Sequence, residues 1–471
     1  MGMQINQESF TEQDYNKYQV RLREQLDVLA DIVQSPGFGG DVISFGAELE
    51  IYVVDEHGKV NPINRELLAH TGDPRITLEL NKFNLEYNLS PVPAAGTPFT
   101  SIKDEIDDLH KQVTDTAQTL NANVVPIGIL PTLRRTDFDE HNMTELSRYR
   151  ALCNGLQNLR GKAFRVNING QDPLNFTCND ISLEGANTSL QFHIRTPVEH
   201  YANTWNAVQM VTPLALALGA NSPTLFGHRL WQETRIALFK QSVDDRHRGN
   251  QQWRKPARVN FGQGWLRDGP WELFSENVAL FEPVLPILSG NDAIADLAAG
   301  ELPSLDELRL HQSTIWTWNR AVYDPGSNGH FRIECRSLPA GPTSEDMMAN
   351  AALLMGLALG FRDQMSQIIP SFPFELAEHN FYRAAQSGLD AKILWPVSDN
   401  VGPREVVVSD LIQELLPIAE IGLKLVGVNN TEITHYLDNV QKRIDHKITG
   451  AQWQLDTLAH YFKSYELGTA L

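Results

Sequence analysis

Only three cysteines, Cys153, Cys178 and Cys335, occur in 471 residues, too few for a disulfide framework. None of them belongs to a Cys-x-x-Cys pair. A basic excess is also missing. The formal net charge of −19 argues against a nucleic-acid backbone or an anionic membrane as the main partner. Long apolar runs are absent, and the most apolar helical stretch, 351–361, falls far short of the ~20 residues of a membrane span. Residues 1–8 carry neither the basic region nor the apolar core of a secretory signal, so a cytoplasmic location is expected. No Gly-x-x-x-x-Gly-Lys-Ser/Thr loop, no strand-borne Gly-x-Gly-x-x-Gly and no Gly-x-Ser-x-Gly elbow occurs. Any chemistry must therefore be spread over several elements.

What is present is ordinary globular material, 42% hydrophobic and 21% charged. The length exceeds what one core usually organises, so one large domain with additions, or two domains, is implied. Residues 11–34 read as an amphipathic helix with the stripe Val20, Leu22, Leu26, Leu29, Ile32 and Val33, and Thr11 with Asp14 suits a capping box. Pro36 to Gly40 ends it. Further helices are predicted over 101–120, 201–218, 345–367 and 430–471, and strands over 124–129, 164–169, 190–196 and 331–338. Beyond Pro370 the strand signals fade. Strands separated by helices and long loops point to an α+β fold with a mainly antiparallel sheet.

The most informative segment runs from Val42 to Val54. Ile43, Phe45, Ala47, Leu49, Ile51 and Val53 share one face of a strand, so Glu48 and Glu50 project together from the other, roughly 6–7 Å apart. Carboxylates that close repel unless a cation lies between them, and hard oxygen ligands suit Mg²⁺ or Mn²⁺. A solvated strand face accounts for the same pattern. Glu79 and Glu86 lie seven residues apart, with Glu86 flanked by Leu85 and Tyr87 on a short strand. The segment Ser189 to Arg195 puts Gln191, His193 and Arg195 on one face, opposite Leu190, Phe192 and Ile194. The segment His330 to Leu338 projects Arg332, Glu334 and Arg336 away from Phe331, Ile333 and Cys335. A salt-bridged surface strand would look like this, and so would a metal ligand beside guanidiniums that grip phosphate oxygens.

Taken in order, Gly46-Ala47-Glu48-Leu49-Glu50, Glu79 with Glu86, Gln191-Phe192-His193, Ala220-Asn221-Ser222-Pro223 and Glu334-Cys335-Arg336 resemble the glutamate–cysteine ligase family, in particular its carboxylate–amine ligase (GCS2-type) branch. His311-Gln312-Ser313-Thr314-Ile315-Trp316 is similar to that family's His-x-x-Thr-x-aromatic stretch, and Thr234 to Phe239 with Asp245-Arg246 to its Arg-containing substrate segment. The resemblance covers roughly residues 40–370. Gln191 stands where a histidine is common, and the loops after Arg246, with Trp253, Arg254, Trp265 and Arg267, depart from the pattern.

The resemblance implies a glutamine-synthetase-like funnel built on the antiparallel sheet, with residues 41–370 as the catalytic domain. Residues 1–40 would then be a helix packed on the core, and residues 371–471 a helical C-terminal region. It implies ATP-dependent joining of a carboxylate, glutamate in the reference enzymes, to an amine through an acyl phosphate. Glu48, Glu50, Glu79, Glu86, His193 and Glu334 would bind Mg²⁺ or Mn²⁺. Arg336 and Arg332 would stabilise the transferring phosphoryl group, Gln191 and Arg336 would contact ATP, and Arg235 would hold a substrate carboxylate. The partners implied are amino acids and ATP, without nucleic acid or membrane. The N-terminal helix and the helical tail would suit an interface between copies of the chain. A metal-dependent hydrolase using the same carboxylates, or a non-catalytic metal- or nucleotide-binding relative, are the alternatives.

Overall fold

The structure, a computed structural model, describes residues 7–40, 42–246, 255–326, 328–396 and 402–464. The alternating segment around Glu48 forms the strand Ser44–Val54, which has partners on both sides. It belongs to an 8-stranded sheet whose main path runs Asn319–Asp324, His330–Cys335, Leu190–Arg195, Ser44–Val54, Asn84–Asn88 and Ile76–Leu78. Each neighbouring pair on this path is antiparallel. Two short strands, Val92–Pro93 and Asn123–Val125, pair with the ends of the Glu48 strand. A short parallel pair joins Val259–Asn260 to Trp316–Thr317. The fold is α+β with a mainly antiparallel sheet, as the alternation implied.

Strand register fixes what the sheet displays. Glu48 stands opposite Gln191 on one side and Asn88 on the other, and Glu50 opposite Glu86. Glu334 stands opposite His193 and Arg320. Because side chains alternate along a strand, all of these share one face. The opposite face carries Phe45, Ala47, Leu49, Phe192, Ile194, Phe331 and Ile333, all buried. Helix Pro98–Thr119 covers it, with Phe99 stacked on Phe192 at 6.0 Å and tilted against Phe45 at 5.6 Å. Tyr201 of helix Val198–Gly219 meets Phe331 edge-on at 5.9 Å.

Helix Ser344–Phe361 lies against Val198–Gly219 and is buried almost all round, so its sequence is apolar without a polar stripe. Helix Val408–Leu425 packs on it at glycines. A Cβ on Gly422 would stand 2.0 Å from the Gly356 carbonyl oxygen, and one on Gly360 2.5 Å from that of Ile418.

The N-terminal helix spans Glu12–Gln34 and has the expected cap, with Thr11 and Asp14 exchanging hydrogen bonds. Its buried side includes Tyr18, Leu22, Gln25, Leu29 and Ile32, while Val20 is exposed, contrary to the stripe read from the sequence. The three-to-four spacing through Tyr18 and Gln25 sets that side. Gln25 donates to the buried Glu307 carboxylate and accepts from the Leu308 N–H, and the Tyr18 hydroxyl donates to the Glu307 carbonyl. The helix thereby props helix Asp306–Ser313.

Other boundaries differ. The strand expected over 124–129 is Asn123–Val125, and that over 331–338 is His330–Cys335. The tail is two helices, Asn430–Asp445 and Gly450–Ser464, broken where Lys447 adopts φ +51°, and residues 465–471 lie outside the described residues. A hairpin, Lys392–Trp395 with Arg404–Val407, appears in a region that read as helical, its strands too short for a two-residue period to register. Residues from the N-terminal helix, the sheet and the C-terminal helices join one hydrophobic cluster. No described helix is long and apolar enough to cross a membrane.

Candidate active site

Two groups of side chains gather on the polar face of the sheet. Glu48, His193 and Glu334 form one and Glu50, Glu79 and Glu86 the other, each with donor atoms within 4.8 Å of one another. Five of these six come from register alone. Glu79 arrives from the bend after Ile76–Leu78, where its carboxylate accepts from the Leu80 N–H at 3.2 Å.

Hydrogen bonds aim the carboxylates. Glu50 Oε2 accepts from the N–H and hydroxyl of Ser189 at 2.7 and 2.9 Å, and Oε1 accepts from Gln191 Nε2 at 3.0 Å. The Gln191 carbonyl oxygen accepts from Arg336 Nη1 at 2.6 Å. Glu86 accepts from the Thr77 hydroxyl at 3.0 Å. Glu334 lies between two guanidiniums, with Arg336 Nη1 at 2.9 Å and Arg320 Nη2 at 3.0 Å.

The two groups differ electrostatically. Burial pushes Glu79 up to about 7, with the Glu50 carboxylate adding to it. Burial and the neighbouring Glu48, Glu79 and Glu50 raise Glu86 well above the carboxylate range. Glu50 is raised by burial, against the pull of Arg336 and the Ser189 bonds. Burial opposes charge on Glu334 too, but Arg320 and Arg336 hold it well below that range. Burial lowers His193, against Glu48 and Glu334, and keeps the ring neutral at pH 7.

Glu50, Glu79 and Glu86 form a set of hard oxygen donors that repel one another. The chain gives Glu334 two ion pairs but, among the described residues, gives these three none. A Mg²⁺ or Mn²⁺ ion would supply the missing positive charge. This set fits a cation as it stands. The other needs one movement first. His193 Nδ1 accepts from Arg332 Nε at 3.2 Å, so the neutral ring carries its proton on Nε2, the buried nitrogen without a hydrogen-bond partner. Ligation through Nε2 requires Arg332 to leave Nδ1.

Three adjoining cavities open over this face, and Glu48 lines all three. One of about 300 Å³ holds Glu50, Glu79, Glu86, Glu184, Arg148 and Arg336 beneath an apolar wall that includes Leu152, Ile181 and Trp316. A second, about 340 Å³, is lined by Arg309, Arg320, Arg332, Phe274 and Tyr323. The third, about 310 Å³, contains His193, Arg195, His330, Arg332 and Asp324, and there Arg195 Nε and His330 Nδ1 are buried without partners.

All six expected ligands reach the face, with Gln191, Arg332 and Arg336. Arg235 does not. It is 2% exposed, paired with Glu233 at 2.9 Å and bonded to the Ser337 carbonyl at 3.1 Å, because helix Arg235–Ser242 starts in the interior. Its charge reaches the site by lowering Glu50, against the burial that raises it. Gln191 bonds Glu50 and Arg336 through its amide and lines the first cavity. Arg332 pairs with Asp324 at 3.0 Å and faces the second and third cavities, apart from Arg336 in the first. Trp253 and Arg254 lie outside the described residues, and the Trp265 indole donates to the Phe372 carbonyl.

The sequence reading missed Arg320, Arg148, Glu184 and Ser189. Arg320 had a signal, since Arg320, Val322 and Asp324 alternate with Ala321 and Tyr323 just before the Glu334 strand. Arg148 and Glu184 sit on a helix and a 3-10 turn, where no strand alternation marks them.

Comparison with known proteins adds a family and a fold. The family described as glutamate-cysteine ligase family 2 (GCS2) matches residues 44–263, which carry all the site's glutamates except Glu334. A glutamate–cysteine ligase from Francisella tularensis in complex with AMP superposes with a TM-score of 0.52 at 12% identity, over 92% of this chain and 91% of that one. A bifunctional glutathione synthetase from Pasteurella multocida gives a TM-score of 0.48 at 12% identity, over 90% of this chain and 48% of that one. No curated protein matches the sequence.

Proposed function

We propose that this protein, whose residues 44–263 match glutamate–cysteine ligase family 2, is an ATP-dependent ligase joining a carboxylate to an amine through an acyl phosphate. Glutamate and cysteine are the first substrate pair to test, and a γ-glutamyl amide of the kind made in glutathione biosynthesis is the expected product. One observation carries the reading. Two groups of three donors share a sheet face with Arg320 and Arg336, and the carboxylate-only group has no internal counter-charge.

Charge divides the face between the substrates. The end holding Arg195, His330 and Arg332 suits a polyphosphate, and its unpartnered Arg195 Nε is a ready donor. The cavity holding Arg336 and Arg148 suits the amino acids. Glu48, His193 and Glu334 would hold one Mg²⁺ or Mn²⁺ and Glu50, Glu79 and Glu86 another. When bound, such ions neutralise phosphate charge and lower the barrier to phosphoryl transfer.

The protein's own work is positioning. Ser189 and Gln191 fix both oxygens of Glu50, and Glu334 holds the Arg336 guanidinium where a phosphoryl oxygen can meet its free N–H groups. The arrangement supports residues 41–370 as the catalytic unit, with the N-terminal helix and residues 371–471 as its buttresses.

The test pairs amino acids with ATP and Mg²⁺, follows ADP and phosphate release, and identifies the product by mass. Release that requires both a carboxylate and an amine is expected. Glu50→Gln and Glu334→Gln should each lower ADP formation by ~10³-fold, the effect of losing several kcal/mol of transition-state stabilisation. Near-normal turnover in either folded variant at saturating Mg²⁺ would sink the assignment. Cleavage of a γ-glutamyl amide without ATP would identify a hydrolase instead.

A further inference from the structure

Five glutamates line the cavity that contains Arg336, namely Glu48, Glu50, Glu79, Glu86 and Glu184. Four belong to the two donor groups, and Glu184 belongs to neither. Among the described residues its carboxyl makes no ion pair or hydrogen bond, and burial, with the Glu79 and Glu50 charges and against Arg336, pushes it up to about 8, so its ionised form is an unusually strong base for a carboxylate. It is nonetheless firmly carried. Asp180, just before the turn Ser182–Ala186, accepts from the Ser182 N–H at 2.8 Å. The Asn81 side chain donates to the Ser182 carbonyl at 2.8 Å, and the Tyr52 hydroxyl donates to the Ala186 carbonyl at 2.7 Å. Between these ties Gly185 lies so close to Asn81 that a Cβ would come within 2.4 Å of Nδ2. An unpartnered carboxylate on a firmly held turn thus faces the compartment assigned above to the amino acids.

Resting on the ligase reading, we propose that Glu184 receives the ammonium of the acceptor amine and takes the proton it must lose before attack. An ammonium has no lone pair and cannot attack an acyl phosphate. In the proposed step one N–H bond of R–NH₃⁺ breaks, the electron pair stays on nitrogen, and the proton passes to Glu184. That pair forms the C–N bond to the acyl carbon. The bond from that carbon to the phosphate oxygen breaks, and its electrons leave with phosphate. A second N–H proton departs with the phosphate, and Glu184 returns its own to solvent. The other four carboxylates are committed to the donor groups, whereas Glu184 is free to turn toward nitrogen. Leu152, Ile181 and Trp316 on the same cavity wall keep competing water from the acyl phosphate.

Hydroxylamine separates this role from the earlier chemistry, because it is already unprotonated at neutral pH and traps acyl phosphate as a hydroxamate. Wild type, Glu184→Gln and Glu184→Asp are incubated with L-glutamate, ATP and Mg²⁺, once with an equimolar mixture of amino acids and once with hydroxylamine. Products are quantified by mass, and circular dichroism verifies the fold. The expected result is an amide-to-hydroxamate ratio at least 10²-fold lower in Glu184→Gln, the usual size of a lost general base, with part of the loss recovered in Glu184→Asp. An unchanged ratio overturns the role of Glu184 and leaves the ligase reading standing. Wild type that makes hydroxamate but no amide also overturns it, since no ammonium is then accepted. Wild type that makes neither overturns the ligase reading itself.

Discussion

Glu79 is pushed up to about 7 by burial and by the Glu50 charge, so near neutral pH it is about half protonated. A protonated carboxyl is a poor ligand, so a cation entering the Glu50, Glu79, Glu86 group must displace a proton. Mg²⁺ affinity should therefore rise as pH increases from 6 to 8, with proton release on binding. Calorimetry in two buffers of different ionisation enthalpy would detect it, and Glu79→Gln should flatten the pH dependence. Affinity that stays constant over this range would count against a cation in this group. At the same scale, the residues legible in the sequence were those on strands. Glu48, Glu50, Glu86, His193 and Glu334 stood out because a two-residue period sorts polar from apolar side chains. Glu184 and Arg148 reach the cavity through tertiary packing, which no local pattern records. The burial of Arg235 was hidden for the same reason, since nothing in its neighbours' spacing announces that Glu233 and the Ser337 carbonyl enclose it.

Helices Ser344–Phe361 and Val408–Leu425 approach so closely that glycine is required at the crossing. Gly422→Ala would drive a methyl group into the Gly356 backbone, which neither helix can relieve by turning a side chain. A loss of about 1–3 kcal/mol is expected, read as a lower urea midpoint with an unchanged slope. A variant as stable as wild type would show that the helices can separate freely. Helix Ser344–Phe361 was visible in the sequence, because a fully buried helix is apolar on every side, whereas Val408–Leu425 was read only as part of a helical C-terminal region. The hairpin Lys392–Trp395 with Arg404–Val407 was not, since four residues hold only two periods of alternation. Helix ends shifted by a few residues, as at Phe361, where the chain tightens into 3-10 geometry instead of continuing to 367.

Over the whole molecule, like charge is concentrated on one sheet face while the opposite face is sealed by helices. Glu50, Glu79 and Glu86 repel in the folded state, and that repulsion is relieved when the chain unfolds. A cation bound to the folded form should stabilise it in proportion to its occupancy, by about 2.7 kcal/mol at a hundred times the dissociation constant. Melting in millimolar Mg²⁺ should accordingly occur several degrees higher than in EDTA, and the gain should be lost in Glu50→Gln. Identical melting curves would separate the acidic cluster from any cation. The sheet order itself was beyond the sequence reading, because nothing local says that the Glu334 strand pairs with the His193 strand.

That pairing has a consequence for how the protein is made. The Glu48 strand emerges from the ribosome early, yet Glu334 and both of its guanidinium partners are synthesised far later, on the hairpin that completes the sheet path. At about 5–20 residues per second, the interval is on the order of 15–60 s. For about the second half of it the His193 strand, once made, presents a bare edge, open to mispairing with another nascent chain. Competence arrives only with the late hairpin, so a chain truncated before it should accumulate as an aggregation-prone species and never as a partly active enzyme.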